Sequence, residues 1–474
     1  MASNNSSNVI IGLWQIADME RNGSKVDPDQ ASASMLHYYE NGFNKFDMAD
    51  HYGSSEEIAG YFKHKFNLPN LELNTKWVPE PGIINEDTAE KAVVKALKRM
   101  NAEKLDLLQF HAWNYADPHW IDALYALSTL KKKGLIENIG LTNFDHHHLN
   151  MVVQSGIPII SNQISYSLID QRASHAMTKI CLDHQIKIFA YGTVAGGFFS
   201  EKWLGKSEPA QSNQLTWSQM KYKRFIDAAG GWDWYQTLLA ALTKIAVNKN
   251  CSIATLASTF ISKRPAVDAV IIGARLGESS HIEENKKILT VSFTDEEMNT
   301  INDVLKMAVP INGNCGDEYR KPPFLTASGD LSHHIQEFPK PYPIIKDAND
   351  KTRVFSGTPW ESLAGYARAI RKGKQIFVSG TTATHGNNII GGKDPAAQTH
   401  FIIDKIEGAL QSVGASLHDV VRTRIFVKNL DQWEPIARAH GERFGEIQPA
   451  NTMVEAKLVG DGYLVEIEAD AIVE

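Results

Sequence analysis

Cysteine is scarce in this chain. Of 474 residues, three are cysteine: Cys181, Cys251 and Cys315. They are far apart and odd in number, which excludes a disulfide framework and fits reduced thiols in a cytoplasmic protein. Long apolar runs are missing as well; none approaches the roughly 20 residues that a membrane helix needs. The N-terminal MASNNSSNVIIGLW has neither a basic leading segment nor a long apolar core, so no secretory signal is read there. Charge of one sign is nowhere concentrated. The net charge is −7 with acids and bases interspersed, which excludes the basic footprint of a nucleic-acid or anionic-membrane partner. Glycine is missing from one telling place. The first β-like run leads into GLWQIADM, without the Gly-x-Gly-x-x-Gly spacing of a doubly wound, dinucleotide-binding sheet.

What is present is length enough for two cores and a repeated alternation. Short β-branched or aromatic runs occur at 9–15, 45–50, 71–77, 105–113, 136–144, 157–167, 186–193 and 269–274. Amphipathic helical patterns lie between most of them, such as TAEKAVVKALKRM and IDALYALSTLKKKG. Eight β-then-α units predict an α/β fold of the closed (β/α)8 TIM-barrel type. The long gap at 194–268 is placed where a lid or cofactor clasp would sit. Residues 312–345, rich in Pro, Gly and polar side chains, read as a tail followed by a linker. From about 350 a ββαβαββ pattern predicts a small α+β domain with an antiparallel or mixed sheet and helices on one face. The boundaries expected are 1–335 for the barrel, 336–349 for the linker and 350–474 for the second domain.

Four residues carry the chemistry. Asp47 and Tyr52 lie in FDMADHYG, Lys76 in LELNTKW and His111 in LDLLQFHAW. Each sits at or just beyond the end of a strand-like run, the rim where barrels place their active sites. Hydride attack on a carbonyl develops negative charge on oxygen, so a proton donor must stand there. A nearby ammonium lowers the pKa of a phenol, here Lys76 acting on Tyr52. Asp47 would hold that ammonium, and His111 would orient the carbonyl or relay a proton. Trp14, Trp77 and Trp113 are candidates for the wall of the substrate pocket, with Tyr115 beside them. The run His146-His147-His148 follows Asp145, a helix N-cap in appearance, and reads as a solvated helix start. No metal is expected: Asp47 and His111 are too few ligands for a metal-dependent hydrolase barrel.

On these residues the first two thirds of the chain resembles the aldo-keto reductase superfamily. Its Asp–Tyr–Lys–His tetrad corresponds to Asp47, Tyr52, Lys76 and His111. The resemblance implies that Thr142, Asn143 and Gln163 hold a nicotinamide carboxamide and that Tyr191 stacks on its ring. It implies Gly273, Arg275, Ser279 and Asn285, from IIGARLGESSHIEEN, as contacts of the adenosine phosphate, with Ser280 as a further candidate. A forked arginine suits a 2′-phosphate, so NADP is the cofactor expected, NADPH preferred over NADH. The implied activity is reduction of an aldehyde or ketone. Two alternatives stay open: a cofactor-sensing binding protein with incidental turnover, and a bifunctional imine deaminase and carbonyl reductase.

The last third resembles the Rid (YjgF/UK114) family through IFVSGTTA, DVVRTRIFVKNLDQW, PANTMVEAKLV and VEIEADA. Deaminating members carry an arginine after Pro-Ala. Asn451 stands there instead and cannot grip a carboxylate through two charged bonds. Glu466 corresponds to the water-positioning carboxylate. The resemblance implies an assembly or ligand-binding module and a homotrimer formed through this domain.

Overall fold

The structure is a computed structural model that describes residues 8–17, 26–209 and 215–474. Residues 1–7, the polar lead of the N-terminus, lie outside the described residues. Eight parallel strands close into a barrel: β1 (Val9–Gly12), β2 (Lys45–Asp47), β3 (Glu72–Trp77), β4 (Leu105–Phe110), β5 (Ile136–Thr142), β6 (Ile159–Ser165), β7 (Lys187–Tyr191) and β8 (Val267–Gly273). β1 pairs with β2 on one side and with β8 on the other, which completes the ring. The expected (β/α)8 barrel is the fold observed.

Alternation along each strand sends successive side chains to opposite faces. Ile10, Leu107, Phe189, Ala269 and Ile271 form a small cluster inside the ring. The outward positions, such as Phe46, Trp77, Phe110 and Leu141, belong to the large core between strands and helices. The inner wall is crowded enough to select glycine at one position. A Cβ on Gly140 would lie 2.5 Å from Ser161 Oγ and 3.2 Å from Gln109 Cγ.

The chain after the barrel does not run away from it. Residues 312–334 turn back over the C-terminal rim. Arg320 donates to the Ala112 carbonyl at 2.7 Å and stacks over Tyr115. Gly316, at φ +87°, comes so close to the Asn143 carbonyl that a Cβ would lie 1.9 Å from it. Arg224, on the helix Trp217–Ala229, binds the Phe324 carbonyl and the Ser328 hydroxyl.

The second sheet has seven strands: β9 (Ile344–Lys346), β10 (Lys351–Val354), β11 (Ala369–Lys372), β12 (Gln375–Thr382), β15 (Val420–Val427), β16 (Ala450–Glu455) and β17 (Val465–Ile472). A short hairpin, β13 (Thr384–His385) with β14 (Asn388–Ile389), stands apart. The spatial order is β16-β15-β17-β12-β11-β10-β9, antiparallel except for the parallel pair β15–β16. β9 falls within the stretch expected as linker; its backbone pairs with β10 and extends the sheet.

One helix holds the two units together. Asp394 caps Pro395–Ser412 by accepting from the Ala396 and Ala397 amides, with Pro395 at the first position. Fourteen of its 18 residues are buried, because one face covers β12 and β17 while another packs on the barrel helix His146–Gln154. Burying side chains such as Phe401, Ile402, Ile406 and Leu410 contributes about 1.5–3 kcal/mol each.

The joint itself is polar. His148 Nδ1 meets the Asp145 carboxylate at 2.7 Å, and its Nε2 meets Asp404 at 2.9 Å. Arg443 donates to the other Asp404 oxygen at 2.6 Å and to Glu407 at 2.7 Å. The expectation of a solvated histidine run is therefore corrected. Asp145 is the N-cap foreseen, but the helix start is covered by the second domain and His148 is buried. Nothing within 142–150 announces a partner more than two hundred residues away.

Candidate active site

A cavity of about 710 Å³ opens at the C-terminal rim of the barrel. Asp47, Tyr52, Lys76 and His111 all line it. Strand parity explains the convergence: Asp47 ends β2, Lys76 is an inward position of β3, and His111 follows β4 two residues after inward-facing Gln109. Tyr52 comes from the loop after β2, where its backbone turns on the Ala49 carbonyl.

The Lys76 ammonium is buried, paired with Asp47 and hydrogen-bonded to the Met48 carbonyl at 2.8 Å. Asp47 also accepts from Gln109 Nε2 at 2.9 Å and from Gln163 Nε2 at 2.8 Å. Gln163 in turn reaches Gln109 Oε1 at 2.8 Å. A carboxylate with three donors is satisfied even in a dry site. Gln109 is a member of this network that sequence reasoning missed; its signal was a polar residue two positions before His111 on the same face.

Lys76 Nζ stands 5.1 Å from the centre of the Tyr52 ring. Burial pushes the Tyr52 hydroxyl well above the ordinary phenol range, and the carboxylates of Asp47, Asp330 and Asp50 push the same way. The Lys76 ammonium, which would oppose this shift, is paired with Asp47. His111 moves the other way. Burial, then the positive charge of Arg320, holds its pKa well below the usual imidazole value. Its Nδ1 faces the Thr142 carbonyl at 3.4 Å, while Nε2 is buried without a partner.

The residues expected at the cofactor line the same cavity: Thr142, Asn143, Gln163, Tyr191, Gly273, Arg275, Ser279 and Asn285. Asn143 has a left-handed backbone, φ 59°, and accepts from the Tyr191 hydroxyl at 2.7 Å. Thr142 Oγ1 donates to the Gln163 carbonyl at 3.2 Å. Arg275 is at the exposed end, where its Nε meets Gln15 Oε1 at 3.3 Å. Trp14 packs edge-on against Tyr52 at 4.9 Å and Trp113 against His111 at 4.4 Å. Trp77 is not among the lining residues. It sits one position after inward-facing Lys76, so alternation turns it outward onto Phe110, 5.4 Å between ring centres.

The roof was not foreseen in detail. Lys221 and Ser218 come from the helix Trp217–Ala229, within the excursion expected to form a lid, and Tyr319 and Asp330 from the returning segment. Ser218 Oγ accepts from Trp14 Nε1 at 3.2 Å and from Gln15 Nε2 at 3.3 Å, which bridges the cavity mouth. Lys221 is buried and lies 4.9 Å from the centre of the Tyr191 ring; among the described residues it forms no ion pair. Burial lowers its pKa.

The family model described as the aldo/keto reductase family matches residues 8–306, and that described as endoribonuclease L-PSP matches residues 358–473. Methylglyoxal reductase DkgA of Escherichia coli O157:H7 is 27% identical over 192 residues, 40% of this chain and 63% of that relative. A RutC family protein of Pyrococcus abyssi is 32% identical over 126 residues, 26% of this chain and 98% of that relative. Among solved structures, the glycerol dehydrogenase of Gluconobacter oxydans shares the fold at 21% identity and a TM-score of 0.54, over 65% of this chain and 94% of its own.

Proposed function

Since this chain belongs to the aldo/keto reductase family over residues 8–306 and carries a YjgF-type domain behind it, we propose that it reduces the carbonyl group of an aldehyde or ketone with NADPH. One observation carries the reading: a single cavity is lined both by the tetrad and by Thr142, Asn143, Gln163, Tyr191, Gly273, Arg275, Ser279 and Asn285, with Ser280 not among the lining residues. The residues present fit a nicotinamide dinucleotide. His111 leaves an unpartnered nitrogen at the buried end, and the exposed Arg275 guanidinium stands at the other. Arg275, Ser279 and Asn285 would hold the phosphate end, and Asn143, Gln163 and Tyr191 the nicotinamide end. Arg275 commits only its Nε among the described residues, so its forked amino groups are left to grip a 2′-phosphate, the basis for NADPH over NADH.

When bound, the nicotinamide supplies a hydride to the carbonyl carbon. Tyr52 gives its proton to the oxygen as negative charge develops there. The raised phenol pKa keeps that proton in place until the alkoxide forms. Lys76, fixed by Asp47, then offers positive charge near the new phenolate. His111 positions the substrate oxygen. Trp14 and Trp113 close the sides and keep the site dry, which strengthens each of these interactions.

For the second domain we propose assembly or ligand binding rather than deamination. Asn451 donates to Thr423 Oγ1 at 2.9 Å and brings no charge. Phe377, Val454 and Ile472 are exposed on the sheet face opposite the helices, a surface suited to other copies of this domain, hence a homotrimer. The three free thiols fit a cytoplasmic location. We divide the chain functionally into residues 1–335, which include the roof, and residues 350–474.

The test is single-turnover oxidation of bound NADPH by a panel of aldehydes and ketones, with kcat/KM compared for NADPH and NADH. Turnover with the phosphorylated cofactor favoured is the expected result. Tight binding with no oxidation across the panel would favour a cofactor-sensing protein. Equal use of both cofactors would remove the role given to Arg275.

A further inference from the structure

Where the barrel meets the second domain lies a cleft of about 1510 Å³. Three side chains with metal-ligating atoms converge on its wall. His147 comes from the barrel helix His146–Gln154, His400 from the helix Pro395–Ser412, and Glu442 from the helix Trp433–Phe444. His147 Nε2 is 3.2 Å from Glu442 Oε2, and His400 Nε2 is 3.4 Å from the same oxygen. All three ligand atoms fall within 4.8 Å of one another. We propose that His147, His400 and Glu442 form a binding site for a divalent first-row transition ion, bridging the two domains.

Geometry is the first argument. Zn–N and Zn–O bonds of about 2.0–2.1 Å at tetrahedral angles place neighbouring donors about 3.3 Å apart. The separations of 3.2 and 3.4 Å are those edges. Two imidazoles and one carboxylate suit an ion of borderline softness, and they leave a fourth position for water or a small ligand. The second argument is placement. His400 is buried, with side-chain exposure of 3%, whereas Glu442 is 51% exposed, so the cluster has an anchored side and an open one facing the cleft. The third is the packing of the rings. The His147 and His400 rings lie 4.0 Å apart, tilted by 34°, and His400 Nδ1 is buried with no partner. Hydrogen bonding alone therefore fixes the His400 ring only through Glu442, a half-exposed carboxylate; an ion on Nε2 would fix it outright.

The site is separate from the reductase cavity. Trp113 is the residue that lines both, and none of the tetrad lines the cleft. It is also separate from the docking pair His148–Asp404, which uses other side chains. An ion here would fasten one barrel helix to two helices of the second domain, and its binding energy would add to domain docking.

The experiment uses the full chain, stripped with a chelator and dialysed. Zn2+ is titrated by calorimetry, Co2+ is followed by its visible spectrum, and thermal unfolding is recorded with and without Zn2+. The expected result is one ion per chain, a Co2+ spectrum of four-coordinate intensity, and a Zn2+-dependent rise in Tm. All three should be lost in His400→Ala and in Glu442→Gln. Should His400→Ala fail to fold, the half-exposed Glu442→Gln decides. Absence of binding by the native chain overturns the proposal. So does the same stoichiometry and spectrum in Glu442→Gln, since the ion would then lie on other histidines.

Discussion

The ammonium of Lys221 donates a hydrogen bond to the hydroxyl of Tyr319 at 2.6 Å, and the two residues are 98 positions apart. One belongs to the excursion between β7 and β8, the other to the segment that returns after the barrel. Their meeting closes a roof over the tetrad. Replacing Lys221 with methionine removes a buried positive charge from a cavity proposed to take a polyanionic cofactor. The dissociation constant for NADPH should rise about tenfold, equivalent to about 1.4 kcal/mol. Quenching of tryptophan fluorescence measures it; an unchanged constant would leave the ammonium with a purely structural role.

Tyr52→Phe deletes the proposed proton donor and little else. The rate constant for carbonyl reduction should fall by about 10²–10⁴, while NADPH binding stays as in the native chain. Stopped-flow rates paired with a binding titration separate the two effects. Native velocity in the variant would end the assignment of Tyr52.

The pH profile follows from two shifts of opposite direction. Burial and three carboxylates raise the Tyr52 pKa, so its protonated, donating form persists upward through the alkaline range. Burial and Arg320 lower that of His111, so its neutral form persists downward. kcat/KM for reduction should be flat from about pH 6 to 9, with no inflection near the free imidazole value of about 6.5. A descending limb centred near pH 7–8 would instead mean that Lys76 acidifies the phenol. In Asp330→Asn, where one of the raising carboxylates is gone, the alkaline limb should move to lower pH.

The barrel and its tetrad were legible because both rest on local pattern. Asp47, Lys76 and His111 end runs whose β character is plain, and parallel strands bring such ends to one rim whatever the helices do. Trp77 shows the limit of reading by proximity. It is adjacent to Lys76, yet period-2 alternation sends it to the other face. Lys221 and Tyr319 were illegible for another reason. Lys221 sits on the buried face of a helix whose spacing does not say what that face covers, Tyr319 lies in the return of the chain after the barrel, and only tertiary packing brings both to the site. His148 is the third kind. Its surroundings are set by Asp404 and Arg443, on a domain whose docking leaves no trace in the local sequence.

Asp404→Asn tests the docking joint. The carboxylate faces both His148 and Arg443 in a buried setting, and removing one member of such a group costs about 3–5 kcal/mol. Calorimetry should show the second domain unfolding in a separate, earlier transition. A single transition at the native Tm would mean that apolar packing on Pro395–Ser412 suffices.

In the second domain, the native chain should hydrolyse 2-iminopropionate no faster than buffer, and Asn451→Arg should gain activity. Asn451 now bonds to Thr423, itself in contact with His440 at 2.9 Å. Robust turnover by the native chain would restore deamination as a function of this domain.

The match to the reductase family stops at 306, yet Gly316, Tyr319 and Asp330 lie beyond it and meet the tetrad's surroundings. A truncation made at that boundary would keep every strand and helix of the ring and still lose Tyr319 and Asp330, leaving Lys221 and Ser218 as the rest of its ceiling. The chain that leads to the neighbouring domain thus passes over the tetrad on its way and supplies part of its covering.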